Sequence, residues 1–275
     1  MVTYMMTYFL GSDLDPSEIF SSGEILPTES SQRLRAGVHL LGDKLEIPDT
    51  RDLVPRPRLY ELLNRSVQQF PATLISGRAG TGKTALAASF ATTRKNAAWY
   101  SIEPADVEWT TFVNYLAASI LRTVLSRARI AKLVPSPVEP TQAAMATALM
   151  NIFGEVETEI AVEPMLIVLD GIHHLFDAPW FGEFFALLLS SLPENVNLLL
   201  LCRSKPPNPL WRLRSKQQLN VIDEKLLAFD LAETSELVTS AGLDGSNARR
   251  VQAETFGRIS KLLQVVPRKT SGQQA

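Results

Sequence analysis

An α/β fold, a parallel sheet flanked by helices, is predicted by three features of this 275-residue sequence, and a small helical lid is expected after it. The first is Thr73 to Thr84, TLISGRAGTGKT, where a run of strand character passes into Gly77-Arg78-Ala79-Gly80-Thr81-Gly82-Lys83-Thr84 and then into the alanine-rich helical run Ala85 to Phe90. It fits G-x-x-x-x-G-K-[ST] at every fixed position, in the strand, loop and helix context that gives the motif meaning. The second is Met165 to Asp170, MLIVLD, an uninterrupted apolar run ending in a carboxylate, as a strand buried on both faces of a parallel sheet reads. The third is order: strand-like runs at Ala97 to Ile102, Val196 to Cys202 and Gln218 to Ile222 are separated by helical patterns.

The size suits one α/β domain with an extension, or two small domains. A net charge of −2 leaves no global basic footprint for nonspecific nucleic-acid binding. The single cysteine, Cys202, excludes an intrachain disulfide framework and a cysteine zinc site, and it fits a reducing, cytoplasmic setting. MVTYMMTYFLGSD at the start is apolar but lacks the positive n-region and full h-region of a signal peptide. The longest apolar candidate, Leu187 to Cys202, is broken by Pro193, Glu194 and Asn195, so no membrane span is expected.

Taken in order, residues 1–41 hold scattered Ser, Gly, Pro and acids without a period and are expected to be a poorly ordered leader. Residues 42–225 are assigned to the α/β domain, 226–267 to the lid and 268–275 to a disordered tail. Prolines on both sides of Arg56 make Val54-Pro55-Arg56-Pro57 a stiff, extended segment ahead of a helix carrying Leu59, Leu62, Leu63 and Val67. Asp106 is placed to cap a long helix whose stripe runs Trp109, Phe112, Val113, Leu116, Ile120, Leu121, Val124 and Leu125, a core-facing pattern. Thr141 opens a second helix through Met145, Leu149, Ile152 and Phe153, and Asp177 with Pro179 starts a third. In the lid, Asp230 to Ala241 reads as one helix, and the stretch from Ser246 through Leu262 as another.

The motif residues point to triphosphate chemistry. Phosphate oxygens are met at close range by backbone N–H groups, and side chains at the glycine positions would block that approach or forbid the turn. Lys83 adds the point charge, the Thr84 hydroxyl takes one place on Mg²⁺, and the helix that begins here turns its positive end to the anion. Asp170, at the carboxyl end of its strand, is placed to complete the metal shell. Arg203 follows the strand Val196 to Cys202 directly, so its guanidinium is expected to distinguish triphosphate from diphosphate. Lys205, Arg212, Arg214 and Lys216 form a basic run without an acid; a solvated loop is preferred there over a nucleic-acid patch.

These stretches together resemble the nucleotide-binding domain of the STAND ATPases, signal-transduction ATPases with numerous domains, of the type found in the maltose-regulon activator. VPRPRL (Val54 to Leu59) resembles the family's adenine-packing segment, and AAWYSIEPADVEWTTFVNYL its tryptophan-bearing second strand with the acidic turn after it. LIVLDGIHHL (Leu166 to Leu175) resembles the magnesium-site strand with its downstream histidine, NLLLLCRSKPP the strand with the phosphate-sensing arginine, and LAFDLAETSEL the start of the lid. The resemblance covers about Gly42 to Pro267. It implies a P-loop NTPase sheet of the AAA-like (ASCE) kind, ATP and Mg²⁺ as ligands, ATP/ADP exchange as the signal, and Val54, Pro55 and Arg56 at the base. It also implies a protein partner or self-association through the lid. Two departures stand out. Gly171 occupies the place of the family's second acid, which polarises the attacking water, so low turnover is expected, with His173 or His174 as alternative bases and Glu103 and Asp106 next in line. The family's repeat-built sensor and DNA-reading helix have no counterpart in these residues.

Overall fold

The computed structural model describes residues 42–51, 53–124, 139–159 and 164–266. The expected leader and tail, and Leu125 of the helical stripe, lie outside the described residues.

Five strands form one all-parallel sheet: β1 (Ala72–Ser76), β2 (Asn96–Ser101), β3 (Met165–Asp170), β4 (Val196–Cys202) and β5 (Leu219–Ile222), in the order β2-β3-β4-β1-β5. The helices are α1 (Pro57–Gln69), α2 (Lys83–Ala91), α3 (Trp109–Leu121), α4 (Gln142–Glu159), α5 (Phe181–Ser190), α6 (Asn208–Ser215), α7 (Glu224–Leu227), α8 (Leu231–Ser240), α9 (Ala248–Thr255) and α10 (Ile259–Val265). Side chains alternate across the sheet as a strand's period of two demands. Met165, Ile167 and Leu169 of β3, with Leu198 and Leu200 of β4, face the core built with α3, α4 and α5. Leu166, Val168, Leu199 and Leu201 face the opposite core, under α1 and α2. Being covered on both faces explains why β3 and β4 read as continuous apolar runs.

The register places the chemistry. Ser76 pairs with Cys202 and Asp170 with Leu201, so the loop after β1, Asp170 and Arg203 share the carboxyl edge of the sheet. β4 separates β1 from β3 and leaves a crevice about 10 Å across at that edge, by the strand spacing. Open α/β sheets bind ligands in such crevices.

Three expectations are corrected. Asp106 does not cap α3; Glu108 does, accepting from the Thr110 and Thr111 amides at 3.0 and 2.7 Å. Pro104 opens a separate 3-10 turn, Pro104–Val107, in which Asp106 turns back to accept from the Glu103 amide at 2.9 Å and from Lys44 Nζ at 2.8 Å. The long helix stops at Leu121, and Val124 packs on the core from the turn that follows. The last lid helix is two helices, α9 and α10, broken at Phe256 (φ 54°) and Gly257 (φ 65°). A Cβ at Gly257 would sit 2.3 Å from the Phe229 carbonyl oxygen, and the Phe229 amide donates to Gly257 O at 2.8 Å. Close backbone approach therefore fixes the break. Phe229, Leu237, Val238, Val251, Leu262 and Val266 form a third core, against which Val54 packs.

Candidate nucleotide site

The loop between β1 and α2 folds as its glycines require. Gly80 and Gly82 stand at φ 73° and 85°, a left-handed region that favours glycine, and Gly82 opens α2. Lys83 is buried, and its Nζ donates to Gly77 O (2.6 Å), Arg78 O (2.8 Å) and Thr81 Oγ1 (3.2 Å). Burial pulls its pKa down, while Asp170 pulls it back up. Thr81 Oγ1 in turn donates to Arg78 O at 2.9 Å. A Cβ on Gly77 would crowd Glu224 and Thr81 at 3.2 Å. Glu224 holds the Arg78 amide at 3.0 Å and its guanidinium at 2.8 Å, so Arg78 is tied across the loop to the start of α7.

Thr84 Oγ1 donates to Asp170 Oδ2 at 2.7 Å. That contact joins the first turn of α2 to the end of β3 across the crevice and sets two hard oxygen donors side by side. Burial raises the Asp170 pKa above its ordinary 3.8, opposed by the Thr84 hydrogen bond and by Lys83 and Arg203. Among the described residues no group of three or more His, Cys, Asp and Glu could hold a metal. The donor set suits Mg²⁺, which keeps several waters and takes one or two protein oxygens plus phosphate rather than a full protein cage. Arg203 is exposed at the same edge, near enough to act electrostatically on Asp170, Lys83 and His173.

Gly171 has φ 92°, and a Cβ there would lie 2.5 Å from Ile102 O. The reason is the β2–β3 ladder: the Ile102 amide donates to Asp170 O at 2.7 Å, pressing the two backbones together. An acid at position 171 would therefore be strained and would force the β2–β3 edge to shift. The His173 and His174 rings lie 4.1 Å apart, centre to centre, tilted by 35°, and His173 Nδ1 is buried without a partner. Burial, then His174, Arg203 and Lys83, lower the His173 pKa to about 4. A histidine base at the ordinary value near 6.5 is thus not what His173 offers. Glu103 and Asp106, next in line as bases, are engaged by Lys44 at 2.9 and 2.8 Å.

A cleft of about 270 Å³ lies beside the loop, walled by Val54, Tyr60, Gly82, Phe229, Ile259 and Leu263 among others. Its volume is just below the range of small-molecule pockets, roughly 300 to 1,000 Å³. Val54 lines it as expected. Pro55 is exposed and does not line it. Arg56 lines it too, but its guanidinium is spent: Nε and Nη2 each donate to Glu233 at 2.9 Å.

A family model described as an AAA ATPase domain matches residues 56–201. The chain belongs to that family. Among curated proteins, this AAA ATPase domain is 29% identical over 197 residues to the HTH-type transcriptional regulator MalT of Vibrio cholerae, covering 71% of this chain and 21% of the relative. It is also 29% identical over 218 residues to MalT of Vibrio parahaemolyticus, covering 76% and 23%. The chain thus spans between a fifth and a quarter of the length of these relatives. Among solved structures it resembles a STAND protein with a tetratricopeptide repeat sensor from Pyrococcus horikoshii, with a TM-score of 0.53 and 16% identity over 82% of this chain and 31% of that one. At that identity the likeness is one of fold. The MalT relatives and the family model agree with the maltose-activator type of ATPase domain that the motifs indicated.

Several residues at the site of this AAA ATPase domain were not legible as such. α10 docks on the phosphate loop: the Ser260 amide donates to Gly80 O (3.2 Å), Arg258 Nη2 to Ala79 O (2.7 Å), and Ile259 lies 3.2 Å from the place of a Gly82 Cβ. The sequence showed only a helical period there. The hydroxyls of Tyr60 and Ser89 are hydrogen-bonded at the cleft's far wall.

Proposed function

We propose that this AAA ATPase domain is an ATP-binding switch module of a signal-transduction regulator, one that holds nucleotide and hydrolyses it slowly. The observation that carries the binding half is the loop between β1 and α2 with Thr84 and Asp170 in hydrogen-bond contact across the crevice. In this reading the backbone of Gly80 to Thr84 cradles the phosphates. Lys83 turns from Gly77 O and Arg78 O to the terminal phosphates, and Arg203 reads the γ-phosphate from the other side. Thr84 and Asp170 would hold Mg²⁺, which supplies charge neutralisation to the bound phosphates. Val54, Tyr60 and Leu263 enclose the base, and α10 covers the loop. A nucleotide shifts the lid only by its differential affinity for two lid positions, so a γ-phosphate contact is the natural discriminator.

The slow half rests on Gly171, which has no side chain and no room for one. Water-orienting groups contribute about 10² to 10⁴ in rate, so their loss slows turnover while leaving binding intact. The alternative, an ATPase coupled to work, has one observation in its favour: the unpartnered Nδ1 of His173. Neutral at physiological pH, it could accept a hydrogen bond from a water. Since the relatives carry the name of HTH-type transcriptional regulators, a role in transcription control belongs to this proposal, as does cytoplasmic location. The deciding experiment measures ATP and ADP affinity with and without Mg²⁺ beside steady-state turnover. Tight Mg²⁺-dependent binding with slow turnover supports the switch; brisk turnover abolished by His173→Ala, with binding unchanged, supports the alternative.

A further inference from the structure

Arg56 and Arg58 leave the base-side segment and enter the lid. Arg56 grips Glu233 with both ends of its fork, Nε to Oε1 and Nη2 to Oε2 at 2.9 Å, and Nη2 also donates to Leu227 O (3.2 Å) and Ala228 O (3.3 Å). Its guanidinium carbon lies 3.7 Å from the centre of the Phe229 ring. Arg58 Nη2 donates to the same Glu233 Oε2 at 3.0 Å and to Ala228 O at 2.9 Å. Glu233 Oε2 also accepts the Asp230 amide at 3.0 Å, within a capping box that starts α8. Both partners of the Arg56–Glu233 pair are only 10% exposed. One carboxylate of the lid therefore collects two cations and a helix cap.

The position of this carboxylate gives it more than a fastening role. Arg56, which it holds, and Phe229, over whose ring Arg56 lies, are both walls of the base cleft. Phe229 is paired through its amide with Gly257, and two residues on, Ile259 and Ser260 of α10 rest on Gly82 and Gly80. Base cleft, lid core and phosphate loop thus form a closed circuit, and Glu233 is where its charged link is made. A buried pair of this kind is costly to break from one side, because the remaining charge is left uncompensated.

We propose that Glu233 is a positioning residue that couples occupancy of the base cleft to docking of the lid on the phosphate loop, through Arg56. This rests on the nucleotide-binding reading above and adds its regulation. Linkage makes the coupling reciprocal: whatever factor lid docking adds to base affinity, base binding adds to lid docking. An adenine nucleotide should therefore order the lid where a ligand with phosphates alone does not.

The test uses the full chain and three ligand conditions: none, Mg²⁺–ATP and Mg²⁺–tripolyphosphate. Affinities are measured, together with hydrogen exchange over residues 231–265. In the parent, ATP is expected to slow lid exchange well beyond tripolyphosphate. Glu233→Gln, nearly isosteric, should remove that difference and cut ATP affinity about tenfold, a typical allosteric factor, while tripolyphosphate affinity stays within about twofold. A Glu233→Gln protein that keeps the parent's ATP preference and lid protection overturns the coupling. So does an equal loss of both affinities, which marks a merely structural role. If Glu233→Gln does not fold, Glu233→Asp decides by the same criteria, since it keeps the charge, shortens the reach to Arg56 and leaves the cleft's own lining untouched. A parent that binds tripolyphosphate but shows no preference for ATP overturns the coupling too. A parent that binds neither ligand overturns the nucleotide reading and this inference with it; a parent that binds normally beside an unaltered variant overturns this inference alone.

Discussion

Lys83 and Gly171 show how single residues divide the labour at the carboxyl edge of the sheet. The Lys83 ammonium is held by Gly77 O, Arg78 O and Thr81 Oγ1, all of its own loop, so a phosphate must compete with two carbonyls that are already well placed. The competition is won by charge. Charge-assisted hydrogen bonds contribute about 1.5–3 kcal/mol, so Lys83→Ala is expected to weaken ATP about 10- to 100-fold, read by calorimetric titration, with an unchanged far-UV spectrum. Equal affinity in variant and parent would remove the phosphate-loop assignment. Gly171 is constrained in the opposite sense. At φ 92° with Ile102 O in the path of any Cβ, Gly171→Asp should lower stability by about 1–3 kcal/mol and give no gain in turnover. A variant that melts like the parent and hydrolyses faster would show that the β2–β3 edge gives way. The sequence displayed this glycine in plain view, as a departure from an acid; what it did not display is the neighbouring backbone that makes a side chain there costly. Contacts between residues 102 and 171 leave no local signature.

At the scale of elements, the base cleft is made by four pieces far apart in the chain: the segment from Val54 to Tyr60, the phosphate loop with the first turns of α2, Leu227 with Phe229, and α10. Cutting the chain after Leu59 would remove Arg56 and Arg58 from the lid along with the cleft wall, so truncation cannot isolate the base contact. Leu263→Trp can. It fills the cleft from the α10 side, and is expected to weaken ATP about tenfold or more while leaving tripolyphosphate affinity within about twofold, since one well-placed apolar clash is worth one to three kcal/mol. Unchanged ATP affinity would place the base elsewhere. Most of these elements could be read in advance: β3 and β4 lie where their apolar runs lie, and β2 and β5 within a residue or so, because strands buried on two faces admit little else. The lid was harder. Phe256 and Gly257 sit inside a continuous helical period, and only the approach of Phe229 explains why the helix breaks there. Since α10 docks on the phosphate loop because of that break, half of the site's cover was invisible. Glu233 was likewise readable as the third residue of a cap after Asp230, but not as the partner of Arg56, which lies 177 residues earlier.

For the whole molecule, the proposed function and the circuit from cleft to lid to loop predict that nucleotide, metal and lid are felt together, and that their pH dependence separates holding from hydrolysis. Burial raises the Asp170 pKa above 3.8, so its carboxylate is available to a cation at neutral pH and is lost as pH falls, earlier than an exposed aspartate would lose it. Glu233 runs the other way: burial pushes its pKa up, but the hydrogen bonds from Arg56 and Arg58 outweigh this and hold it below 4.5. A depressed carboxylate stabilises the fold above its unfolded value and loses that contribution only as pH falls through the lower, folded value. Acidification should therefore erase the Mg²⁺-dependent part of ATP affinity at a higher pH than an exposed aspartate would set, and release the lid at a lower pH than an exposed glutamate would set. Turnover adds the third term. His173, with a pKa of about 4, is already neutral across physiological pH. Slow hydrolysis by the switch, and even hydrolysis helped by a neutral His173, should then show no inflection near 6.5, whereas an ordinary histidine base would lose about tenfold in rate per pH unit below that value. Measuring ATP affinity with and without Mg²⁺, lid exchange and turnover on one pH series tests all three. A rate that climbs through pH 6.5 would overturn the slow-switch reading, a metal effect that outlasts the protonation of an exposed aspartate would overturn the role given to Asp170, and lid release at the pH of an exposed glutamate would overturn that given to Glu233.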